Sequence, residues 1–180
     1  MASELRVDKI IPTTGVPSGG GGGVIQVTQG SKTSRALTTS TDYVATGLSG
    51  TITPKINTSK VLVTVTTTAT WSSGAATAAF IIRRKVGGSY IENSPLGGQG
   101  HGNIDNPDGA TMSAYSNDGS TKNNQMPMTV QWWDSPATTS AITYELWMAA
   151  NGSSGCGMGG LGDNVAYDIY SQIVMMEVSA

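Results

Sequence analysis

Reactive side chains are scarce in this sequence. Its 180 residues include one cysteine, one histidine and one phenylalanine. A single thiol, Cys156, excludes an intrachain disulfide and the usual thiolate zinc sites. Flanked by Gly155 and Gly157, it is expected to be an incidental small residue rather than a nucleophile. His101 has no second histidine to share a metal, and its nearest carboxylates, Asp105 and Asp108, stand in a turn-rich stretch. Neither a zinc site nor a catalytic triad is expected there, and no Gly-x-Ser-x-Gly elbow occurs. Charge is also thin. Asp, Glu, Lys and Arg make up 12% of the chain, about half of the ~25% usual for soluble domains. Ten basic side chains face twelve acidic ones, and the only basic run is Arg83-Arg84-Lys85, so a nucleic-acid footprint is missing. No apolar run approaches the length of a membrane-spanning helix. No basic region followed by an apolar one opens the chain, so no secretory signal is expected, and synthesis is expected in a cytoplasm.

What the chain does contain is glycine, threonine and valine. The 24 glycines, set among β-branched residues, favour strands and turns over helices. At this length one domain with a real core is expected. Lys60 to Ala69 carries the clearest signal: Val61, Val63 and Val65 alternate with Leu62, Thr64 and Thr66. Val24 to Thr28, Ser40 to Thr53 and Ala78 to Val86 also read as strands, and Gly87-Gly88 predicts a hairpin turn into Ser89 to Glu92. Pro127 to Asp134 places Met128, Val130 and Trp132 on one face and Gln131 and Trp133 on the other. In Ala141 to Ala149, Tyr144, Leu146 and Met148 alternate with Thr143, Glu145 and Trp147. The last segment, Val165 to Ser179, is apolar on both faces, which predicts burial on both. With no internal repeat and no helix signal, these strands predict an all-β fold, a β-sandwich or jelly roll, over residues 24–180.

Residues 1–23 read differently. Leu5, Val7, Ile10 and Ile11 punctuate a polar peptide closed by Pro12 and Pro17, which bar a helix and favour extended backbone. Gly19 to Gly23 follow as a joint with a reach of roughly 12 Å. An extended arm that orders against a partner is expected here, hinged to the domain.

Two polar stretches interrupt the strands. Residues 93–125 hold Pro107-Asp108-Gly109 and Asn117-Asp118-Gly119, both turn sequences. Ala110 to Tyr115 forms a short expected strand within them, and a long excursion of this kind marks functional loops. The second stretch, Asn151 to Gly162, is expected to be a glycine loop. Asn103, Asp105, Asn106 and Asp108 gather oxygen ligands of the kind calcium takes, but their spacing fits no calcium loop and turns select the same residues. No cofactor is expected. Trp132, Trp133, Trp147 and Tyr144 could line a sugar platform, although on alternating strands such residues more often serve the core.

From Val7-Asp8-Lys9-Ile10 with Pro12 and Gly15, through the polyglycine to Val24-Ile25-Gln26-Val27, the chain resembles virion fibre proteins of tailed bacteriophages, those of marine and cyanobacterial phages in particular. The resemblance continues in Thr46-Gly47-Leu48, Ile52-Thr53-Pro54, Ser59 to Val63 and Met175 to Val178, and is silent over residues 87–162. It implies a non-enzymatic structural protein of the virion. Leu5, Val7, Asp8, Lys9, Ile10, Pro12 and Gly15 would anchor it to another capsid, tail or baseplate protein. It also implies a domain similar to the tumour-necrosis-factor-like jelly rolls, which pack as trimers. Ile169, Ile173, Met175 and Val178 are the expected homotrimer contact, and His101, Asp105, Asp108 and Trp133 mark expected receptor loops, with a host-surface glycan as the partner. The absence of a collagen-like or coiled-coil shaft favours a short fibre or knob. The alternatives are a capsid decoration protein and a carbohydrate-binding module.

Overall fold

The computed structural model describes residues 23–71, 76–96, 112–116, 124–150, 155–160 and 169–179. Eleven strands occur among them: β1 (Val24–Lys32), β2 (Ala36–Thr38), β3 (Val44–Ile52), β4 (Lys60–Trp71), β5 (Ala76–Val86), β6 (Ser89–Leu96), β7 (Met112–Ser116), β8 (Asn124–Asp134), β9 (Ile142–Ala150), β10 (Cys156–Met158) and β11 (Ser171–Val178). No helix occurs among the described residues, and so none long and apolar enough to cross a membrane.

The strands form two antiparallel sheets. The first runs β1-β11-β4-β10-β2, with β8 also on β4; the second runs β3-β9-β5-β6, with β7 also on β5. The pairings nest: β1 with β11, β3 with β9, β4 with β8, and β5 with β6 and β7. Such a chain is one long antiparallel ribbon, rolled so that successive pairs fall in opposite sheets. Pairing of β11 with β4 and of β9 with β5 closes each sheet. The expected all-β sandwich is therefore present, with jelly-roll connectivity.

Period-two alternation builds the core. Val61, Val63 and Val65 of β4 are fully buried while Leu62 and Thr64 are only partly covered. Facing them from the second sheet are Phe80 and Ile82 of β5 and Tyr144, Leu146 and Met148 of β9. The Gly87-Gly88 hairpin forms as expected, both residues with φ in the left-handed region (59° and 86°) that a two-residue hairpin turn demands.

Three expectations need correction. Ile173 and Met175 of β11 are wholly buried in the chain's own core, so they do not offer a contact to another subunit. A strand inside a sandwich must turn one face inward, and these residues occupy it. Ile169 precedes β11 altogether, half-buried, its N–H donating to the Gly159 carbonyl at 2.6 Å. Only Val178 of the expected set lies on the outward face of β11, with Val174 and Met176. The third correction is β10, within the expected glycine loop, which pairs with both β2 and β4 and is fully buried. A Cβ at Gly157 would collide with the Leu37 side chain and the Ala36 carbonyl, so glycine is what admits this strand between its neighbours. The short β2 likewise had no periodic signal.

Candidate functional site

The start of β1 and the end of β11 meet at one end of the sandwich. Val24 pairs with Val178, the Gly23 carbonyl accepts from the Ser179 N–H at 3.0 Å, and the Ser179 hydroxyl accepts from the Gly23 N–H. The same end carries the β3–β4 connection, the 87–88 hairpin and the β8–β9 connection. It is held by Glu177, a fully buried carboxylate on the inward face of β11. Glu177 accepts from Gln26 Nε2 (2.6 Å), the backbone N–H groups of Lys55 (2.8 Å) and Ile56 (3.2 Å), and the Ser59 hydroxyl (2.7 Å). Burial by itself would raise its pKa; these donors outweigh burial and hold the carboxyl below its usual range. Two strands away, across Val61, the Asp134 carboxylate accepts from Arg84 Nη1 at 2.5 Å and the Tyr144 hydroxyl at 2.8 Å. Burial and the adjacent carboxylate push the Tyr144 phenol up. At the opposite end, strand termini Trp71, Ala76, Ser116, Asn124, Ala150 and Cys156 flank segments 72–75, 117–123 and 151–154.

The outward face of the first sheet carries an apolar row. Register aligns Val27 of β1 with Met176 of β11, Leu62 of β4 and Trp133 of β8. At the strand spacing of ~4.8 Å this row is about 14 Å long. Its ends, Val27 and Trp133, are 54% and 53% exposed, and Met176 and Leu62 are half-buried. Val174 and Val178 flank Met176 on the same face.

On the outward face of the second sheet, aromatic and charged side chains from β5, β6 and β9 gather. Glu145 accepts from Lys85 Nζ at 2.6 Å on one oxygen. On the other it accepts from the Tyr90 hydroxyl at 2.7 Å and Trp147 Nε1 at 3.0 Å. The Tyr90 and Trp147 rings meet edge to face, 5.5 Å apart. The Arg83 guanidinium lies 4.5 Å from the Trp147 ring centre and 5.2 Å from that of Tyr90. Lys85 Nζ sits 4.4 Å from the Tyr90 ring. Pairing of β5 with β6 shifts register between Arg83 and Lys85, an irregularity of the kind that re-aims side chains. Hydrogen bonding to Glu145 raises the Lys85 pKa. For Glu145, burial opposes ionisation but the Lys85, Tyr90 and Trp147 bonds prevail and lower its pKa.

Of the residues singled out from sequence, Leu5, Val7, Asp8, Lys9, Ile10, Pro12, Gly15, His101, Asp105 and Asp108 lie outside the described residues, as do Asn103 and Asn106. The four aromatics considered as a sugar platform, but favoured as core and interface residues, are separated. Tyr144 is in the core, Trp132 packs against it, Trp133 faces out from the first sheet and Trp147 from the second. Sequence reasoning missed the cluster of Arg83, Lys85 and Tyr90 with Glu145 and Trp147. The alternation of Arg83 and Lys85 along β5 was legible, their convergence with β6 and β9 was not. Cys156 is buried, its thiol 3.3 Å from the Ala149 carbonyl, and burial pushes its pKa up to about 12. Among the described residues no cluster of three or more His, Cys, Asp or Glu is placed to hold a metal. Compared with known proteins, the chain matches no family model, and no curated protein matches it.

Proposed function

We propose that this chain is a structural protein of a tailed-phage virion, a short fibre or knob carried on the arm of residues 1–23. The observation that carries this reading is the placement of the hinge. The polyglycine runs into Gly23, which is bonded to Ser179 at one end of a jelly roll whose β4 alone spans roughly 40 Å. A head gripped at one end leaves its opposite end, where Trp71, Ala76, Ser116, Asn124, Ala150 and Cys156 end or begin strands, for contact with a host surface.

The head is a homotrimer in this reading. Support comes from the row Val27–Met176–Leu62–Trp133 with Val174 and Val178, which replaces Ile173 and Met175 as the self-contact. An apolar row of this kind on an outward sheet face is what cyclic packing covers. Three arms on one trimer would strengthen attachment through effective concentration. The arm itself would add to a sheet edge of its virion partner through backbone hydrogen bonds.

Deletion of residues 2–17 tests the attachment. The shortened protein should fold and self-associate as before yet fail to enter particles, and undiminished incorporation would refute the anchor. Imaging of labelled particles separates a fibre or knob, seen on tail or vertices, from a decoration protein, seen across the shell.

A further inference from the structure

We propose that the outward face of the second sheet binds an acidic saccharide, its carboxylate taken by Arg83 and its sugar ring laid against Tyr90. This site stands apart from the hinge and the apolar row, and does not depend on the virion reading. The Arg83 guanidinium carbon lies 4.5 Å from the Trp147 ring centre, and Arg83 makes no hydrogen bond or ion pair among the described side chains. A guanidinium held over an aromatic ring can still offer its N–H donors to a carboxylate.

The surroundings are prepared for a ligand rather than for Arg83 alone. Both aromatic rings are fixed by their own polar atoms, since Tyr90 and Trp147 each donate to Glu145. Tyr90 is 41% exposed, so part of its side chain is open to solvent beside the cation. Glu145 opposes an incoming anion, but Lys85 is paired to it at 2.6 Å. Among the described side chains, Arg83 and Lys85 stand against one carboxylate, a net positive charge of one.

The same carboxylate favours a sugar over an acidic peptide. A carboxylate has about four acceptor positions, and three on Glu145 are filled by Lys85, Tyr90 and Trp147. The remaining one can take a sugar hydroxyl, whereas a run of acidic side chains would meet only repulsion there. A pyranose also presents C–H groups to an exposed ring, which a peptide carboxylate does not.

The test is a titration of the isotope-labelled full chain with trigalacturonate, following the indole N–H resonances of its four tryptophans. The Trp147 signal should move, with those of Trp71, Trp132 and Trp133 still, and neutral maltotriose should produce no shift. Arg83→Gln should weaken binding by about tenfold or more, the range of a lost charge-assisted pair. Arg83→Lys should be intermediate, because it keeps the charge without the fork. Trp133→Ala, on the other sheet, should bind as the parent does. No Trp147 shift at millimolar trigalacturonate, equal binding by Arg83→Gln, or equal shifts with maltotriose would overturn the proposal. Equal competition by a glutamate-rich peptide would overturn it too, and assign the face to a protein partner.

Discussion

Glu177 is buried without a cation beside it among the described residues, and four donors from two segments converge on it. Replacing it with glutamine puts an amide N–H₂ where those donors need an acceptor. Glu177→Gln should therefore lose about 2 kcal/mol, the scale of hydrogen bonds to a charged group. The folded pKa of Glu177 is depressed below the ordinary 4.5. Its stabilisation is accordingly complete above that value and is lost as pH falls through the folded pKa. Denaturant unfolding followed from pH 7 down to pH 3 should show a steeper acid loss in the parent than in Glu177→Gln. Equal slopes would show that the carboxylate does not govern the acid limb. Its chemistry was half legible: a charged residue on the same face as Ile173 and Met175 breaks the apolar pattern. Its partners Gln26 and Lys55 to Ser59 lie more than 115 residues away, and no local pattern announces them.

In β11, inward and outward methionines have opposite consequences. Met175 is fully buried, and its replacement by alanine leaves a cavity, so Met175→Ala should destabilise by about 3 kcal/mol. Met176, half-buried in the apolar row, should accept lysine with under about 1 kcal/mol lost from the fold. That same charge, set between Val27 and Leu62, should weaken self-association. Denaturation midpoints and sedimentation of the two variants check the contrast; a Met176→Lys protein that associates like the parent would remove the row from the oligomer contact. The two-sided apolar character of β11 was plain from sequence, but it predicts burial without saying which face meets the second sheet. That is decided by register with β4, where Val63 and Val65 bring Met175 and Ile173 inward. β10 shows the opposite limit. Glycine has no side chain to alternate, so a buried strand built around Gly157 looks like a loop until its neighbours are in place.

For the whole molecule, the outward apolar row predicts a stable assembly in the proposed reading. Sedimentation equilibrium at micromolar concentration should return about 55 kDa, three chains of 18.5 kDa, in line with closed cyclic symmetry. A mass of one chain would refute the trimer while leaving the arm's role open to the deletion experiment. The all-β class, the principal strands and the core faces of β4, β8 and β9 were determined by the sequence itself, because period-two alternation of β-branched and aromatic residues has one low-energy solution in water. The same holds for the Gly87-Gly88 turn, whose left-handed backbone few other residues tolerate. Tertiary structure alone decided the rest. Strand register, set by which side chains fill a shared interior, turned Ile173 and Met175 inward. It also put Val27, Met176, Leu62 and Trp133 in one line, and gathered Arg83, Lys85, Tyr90, Glu145 and Trp147 from three strands onto one face.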